Sequence, residues 1–79
     1  MTARQAADIV LKNNEDAYEL YNRCMDAVIK AANTGAKQTT VNTKEFYATD
    51  CVLVIKILRL DGYEVHHLDS KAELLIKWL

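Results

Sequence analysis

Apolar residues recur at helical spacing twice before the first glycine of the chain. Ala3, Ala6, Ala7, Val10 and Leu11 keep the three-and-four rhythm of one helix face. Ahead of them, Thr2 and Gln5 stand three apart, the spacing of a capping box in which each side chain accepts the other residue's backbone N–H. Asn13-Asn14 offers a break or a second cap, with Glu15 and Asp16 well placed in a new first turn. From Glu15 to about Asn33 the rhythm is strongest. Ala17, Leu20, Tyr21, Cys24, Val28, Ala31 and Ala32 form one stripe, widened by Tyr18, Met25 and Ile29. Glu19–Arg23 and Asp26–Lys30 lie on the surface as i,i+4 pairs with the acid first, each contributing ~0.3 kcal/mol. Gly35 stands where a left-handed residue ends a helix. The N-terminal part is therefore predicted as a helix or a helix pair.

Thr39, Thr40 and Val41, in a polar, threonine-rich stretch, suit a short strand. Asn42 and Glu45 then repeat a capping spacing. The run CVLVIKILRL has the branched residues of a buried strand, yet the cap before it and the L-D-G-Y after it are helix ends. The segment Lys44 to Asp61 is accordingly predicted as a helix, with Gly62 as its left-handed terminator and Tyr63 folding back. Its apolar residues span most of the circumference, so it is buried on several sides or takes part in an interface.

The last stretch alternates as a hairpin does. Tyr63, Val65 and His67 point one way, and Glu64, His66 and Leu68 the other. Asp69-Ser70-Lys71 supplies turn residues. From Ala72 to Leu79, Leu74, Ile76 and Trp78 should meet the helices, with Leu75 and Leu79 on the far side among Glu64, His66, Glu73 and Lys77. The expected fold is α+β over a single domain, residues 1–79. It comprises an N-terminal helix or helix pair, a short strand, an apolar helix and a C-terminal β-hairpin, in a small three-stranded sheet with helices on one face.

Composition narrows the function. Half of the 79 residues are apolar (51%), which is hard to hide completely in so small a monomer and points to self-association. Ten basic and eleven acidic residues are interleaved, so the electrostatic footprint of a nucleic-acid binder is missing. The N-terminus is too polar for a signal peptide, and no run has the length of a membrane span; a cytoplasmic protein is expected. Cys24 and Cys51 lie far apart on apolar stretches and read as buried, reduced thiols.

Candidate chemistry is sparse. His66 and His67 are strand neighbours and point to opposite faces, so they cannot form one metal site. No nucleophile elbow, zinc-protease helix or glycine-rich phosphate loop is present, and no catalytic residue, metal or cofactor is expected. Binding remains. The outer sheet face, with Glu64, His66, Leu68, Leu75, Lys77 and Leu79, is the candidate docking surface. A second set would serve an oligomer that sequesters a nucleotide messenger: Lys56 or Arg59 for an anionic group, Tyr47 or Tyr63 to stack on a base. A structural or assembly role without a small ligand is the third reading.

The series V-I-K-A-A-N-T-G, a threonine-rich strand, I-K-I-L-R-L-D-G-Y-E-V and A-E-L-L-I-K-W resembles a widespread type of small bacteriophage accessory protein. The likeness runs from Ala3 to Trp78. Its motifs are structural: Gly35 and Gly62 end helices, and Tyr63, Val65, Ile76 and Trp78 are core strand positions. The resemblance implies a protein of the infected host's cytoplasm, one that inhibits or sequesters a bacterial protein, defence components included, by binding rather than catalysis. The third helix is more apolar here than in that type, which favours a larger buried interface.

Overall fold

In the computed structural model, which describes residues 1–79, the Thr2/Gln5 capping box forms. The Gln5 N–H donates to Thr2 Oγ1 at 3.1 Å, and the Thr2 N–H donates to Gln5 Oε1 at 2.8 Å. Helix α1 (Ala3–Lys12) follows. It ends where the side-chain amides of Asn13 and Asn14 donate back to the carbonyls of Ile9 and Val10, satisfying acceptors that a helix end leaves open. Helix α2 (Glu15–Asn33) starts at once, so the N-terminal part is a helix pair. Asn14 precedes α2 but makes no side-chain cap to it; its amide serves the end of α1 instead.

Both glycines terminate helices by the same device, at φ +84° for Gly35 and +99° for Gly62. After α2, the N–H of Gly35 bonds the Ala32 carbonyl and that of Ala36 bonds Ala31, each at 3.0 Å. After the third helix, Gly62 bonds Arg59 and Tyr63 bonds Leu58 at 3.0 and 3.1 Å. These are the paired bonds of the Schellman arrangement, which needs a left-handed residue between them.

That third helix, α3, covers Ala48–Leu60 and begins later than the sequence pattern suggests. Asn42 does not cap it. Its Oδ1 accepts the nearer Lys44 N–H at 2.8 Å and closes a turn, while Asp50 accepts the Tyr47 N–H at 3.2 Å where the helix starts. Most of the apolar girth of α3 is used inside the chain: Cys51, Val54, Ile55, Ile57 and Leu58 are buried, and of its large apolar residues only Val52 and Leu60 are about half exposed.

Strands β1 (Gln38–Asn42), β2 (Glu64–Leu68) and β3 (Glu73–Lys77) form one antiparallel sheet in the order β1-β3-β2. The second hairpin strand is thus shorter than the alternation from Ala72 to Leu79 implies. A 3-10 turn, Asp69–Lys71, and Ala72 at φ +51° occupy the connection. Along the central strand, Leu74 lies between Val41 and His67, and Ile76 between Thr39 and Val65. Helix α2 packs over β1 and α3 over β2, closing a core of Leu20, Cys24, Val28, Val54, Ile57, Leu58, Leu74 and Ile76. Trp78 and Tyr63 pack half-buried against it.

Helix α1 lies against α2 and α3 through buried Leu11 and through Arg4. The Arg4 guanidinium donates to Asp61 Oδ1 at 2.8 Å and to the Tyr21 hydroxyl at 2.9 Å, and pairs with Asp8 one turn on. One side chain thereby ties the first helix to the second turn of α2 and the end of α3.

Candidate binding face

The helices cover one side of the sheet and leave the other open. Strand alternation and the antiparallel register set three rows on that open side: Gln38–Lys77–Glu64, Thr40–Leu75–His66 and Asn42–Glu73–Leu68. Five of the six residues read from the sequence as a docking surface, Glu64, His66, Leu68, Leu75 and Lys77, share it. Leu79 lies just past the end of β3 and is 89% exposed. Half-buried Leu75 is central, flanked by Thr40 and His66. The contribution of β1 was not legible in the sequence, because periodicity does not tell which strand becomes the neighbour of β3.

At one end of this face the charges are organised. His66 Nε2 lies 2.7 Å from the Glu64 carboxylate, and Lys77 Nζ lies 3.7 Å from the same oxygen. The bond to His66, and then the charge of Lys77, hold the Glu64 carboxyl below its ordinary range. His67 sits on the helix side, with Nδ1 3.2 Å from Asp69. The histidines thus have separate acidic partners on opposite faces.

The two sheet edges differ. The Trp78 N–H donates to the Lys37 carbonyl at 3.1 Å, and the Thr43 N–H donates to the Ala72 carbonyl at 2.8 Å. In an antiparallel ladder bonded pairs alternate, so Thr39 and Val41 bond β3, whereas Gln38, Thr40 and Asn42 turn their N–H and C=O groups outward. The same alternation turns Val65 and His67 outward on β2. There, Arg59 takes the Val65 carbonyl at 2.8 Å.

That bond engages one member of the second predicted set. Tyr47, 75% exposed, lies at the start of α3 and Arg59 in its last turn, roughly 18 Å apart along the axis at ~1.5 Å per residue. Lys56 is exposed between them, and Tyr63 packs against the core. One chain does not bring the four together.

Both thiols are buried and unpaired. Burial, helped by the neighbouring Cys51, pushes the Cys24 thiol up to about 12. Burial also raises Cys51, against an opposing hydrogen bond from Thr43. Such thiols stay protonated at neutral pH, and a protonated thiol is a poor nucleophile. An open cleft of about 310 Å³ lies where α1 meets α2, lined by Asn13, Asn14, Glu15, Asp16 and Asp50. Its carboxylates do not converge as a ligand set, and no cluster of three potential metal ligands occurs in the chain. No helix is long and apolar enough to cross a membrane. No protein-family model, curated protein or solved structure matches the chain.

Proposed function

We propose that this protein is a non-enzymatic binding module whose open sheet face docks on another protein. Following the sequence resemblance, we place it among phage accessory proteins that inhibit or sequester a bacterial host protein. The observation that carries the docking reading is the arrangement around Leu75, an apolar centre with Thr40, His66, Glu64 and Lys77 about it. Apolar centre and polar rim is the anatomy of a protein–protein contact. The rim groups fix register and orientation, and the centre supplies area removed from water.

Affinity capture from bacterial lysate, followed by reconstitution with the purified captured protein, tests this reading. Wild-type protein should retain a defined partner. Leu75→Asp, which puts a charge at the centre of the face, should lose it by tenfold or more in Kd, while Ile29→Asp on exposed α2 surface should retain it. Equal retention by Leu75→Asp and wild type refutes the face. A rise in melting temperature with a nucleotide, abolished by Arg59→Ala or Tyr47→Ala, would replace this reading with nucleotide sequestration.

A further inference from the structure

The two edges of the sheet are protected unequally. Strand β2 carries Glu64, His66 and His67, and Arg59 occupies its outward Val65 carbonyl. Strand β1 reads Gln-Thr-Thr-Val-Asn, with no charge, no proline and an unbroken register. The outward backbone groups of Gln38, Thr40 and Asn42 receive no bond from any loop, cap or side chain, and all three residues are exposed. Charges, prolines and bulges are the usual means of blunting an edge, and a strand without them is a template for pairing.

We infer that β1 is a self-association edge, pairing antiparallel with β1 of a second copy about a two-fold axis at Thr40. The parity of the ladder requires outward residue to face outward residue, and only the register centred on Thr40 also pairs the strand over its full five residues. Thr40 faces Thr40 of the second copy and Gln38 faces Asn42, so every outward N–H meets an outward C=O. The side chains agree with it. The threonine pair and the Gln–Asn amide pairs are favourable cross-strand neighbours on the open face. Lys37 faces Thr43 of the second copy and Lys44 faces Ala36, so no two lysines oppose each other. Edge β2 cannot pair in the same way without displacing Arg59 from Val65.

Two three-stranded sheets become one six-stranded sheet, and their open faces become continuous. One face alone, three strands at ~4.8 Å spacing and five residues at ~3.4 Å, measures roughly 14 by 17 Å. That is well under the ~800 Å² per partner of a standard protein interface. Pairing through β1 doubles it. The self-association stands on the edge itself and holds whatever the face binds.

Light scattering on gel filtration, together with residue-resolved amide exchange, tests it. Wild-type protein should elute at twice the 9.0 kDa chain mass. The Gln38, Thr40 and Asn42 amides should be protected, increasingly so with concentration. Thr40→Lys sets two lysines against each other at the axis and should weaken dimerisation at least tenfold. Thr40→Pro removes an outward N–H without taking a bond from β3, and should do the same. In both variants the Thr39 and Val41 amides, bonded to β3, should stay slow. A monomer up to high micromolar concentration overturns the inference, as does a dimer indifferent to either substitution. Should a variant fail to fold, the concentration dependence of Thr40 exchange in the wild type decides alone. Protection of Thr40 only on adding a different protein assigns the edge to a foreign strand and also overturns self-pairing.

Discussion

Leu74 and Leu75 are sequence neighbours on the central strand, and truncating each to alanine should have very different costs. Leu74 is 0% exposed, lies between Val41 and His67, and belongs to the core shared with α2 and α3. Its isobutyl group has no route to solvent, so Leu74→Ala loses both transfer free energy and the contacts around a residual cavity, about 3 kcal/mol. A chain of 79 residues has a total stability of only ~4–12 kcal/mol. At ~4–8 °C per kcal/mol for a domain of this size, the melting temperature should fall by more than ~10 °C. Leu75 faces the open side, half-buried, and Leu75→Ala should cost under ~1 kcal/mol. Urea titration followed by the fluorescence of Trp78, the single tryptophan and half-buried against the core, reads both at one protein concentration. Unchanged slopes and a midpoint shift mainly in Leu74→Ala are expected. Equal losses, or a larger loss at Leu75, would refute the assignment of the two faces.

Three further outcomes follow from local features. Gly62→Ala meets no atom within 4 Å of the added Cβ, so its cost is that of holding φ +99° alone. About 1–2 kcal/mol should be lost in thermal melts, and less in Gly62→Asn. The Cys24 thiol is raised from 9.0 to about 12, so the folded state holds a proton that the unfolded state releases. Its stabilisation is fully present below pH 9 and disappears as pH rises towards 12; Cys24→Ala should flatten that alkaline decline in urea midpoints measured between pH 8 and 11. Glu64 is held low first by His66, so His66→Gln should move its carboxyl titration, followed by NMR, back towards the ordinary value of 4.5. No movement would show that the His66 bond is not made in solution.

The legible parts of this protein are those governed by neighbours along the chain. The Thr2/Gln5 box and both glycine terminators depend on residues within six positions of one another. The strand-like run CVLVIKILRL was legible as a helix through Gly62 at its end; the residue that closes its start, Asp50, was not singled out by the pattern. The failed cap at Asn42 is instructive. The spacing to Glu45 matches a capping box, but the helix starts only at Ala48 and the Asn42 side chain takes the Lys44 N–H two residues away, an alternative that a spacing rule does not rank.

The candidate site was legible in half. Alternation of period two placed Glu64, His66, Leu68, Leu75 and Lys77 on one side without knowledge of the fold. It gave no access to the residues across from them. That Lys77 reaches Glu64, and that Thr40 flanks Leu75, depends on which strands pair and in what register. The same holds for Arg4, an ordinary surface residue by its pattern, which bridges to Asp61 from the other end of the chain.

Sequence alone therefore determined the order of the elements, the glycine ends of α2 and α3, and the inward or outward sense of each strand residue, because caps, turns and periodicity are local. Tertiary structure alone decided that β3 is central and β1 and β2 are edges. With that came the cover over the β2 edge by Arg59 and the bare hydrogen-bonding groups of Gln38, Thr40 and Asn42. Which edge is left open follows from how the apolar faces of α2 and α3 share the sheet, a contact between residues far apart in the chain that no local pattern encodes.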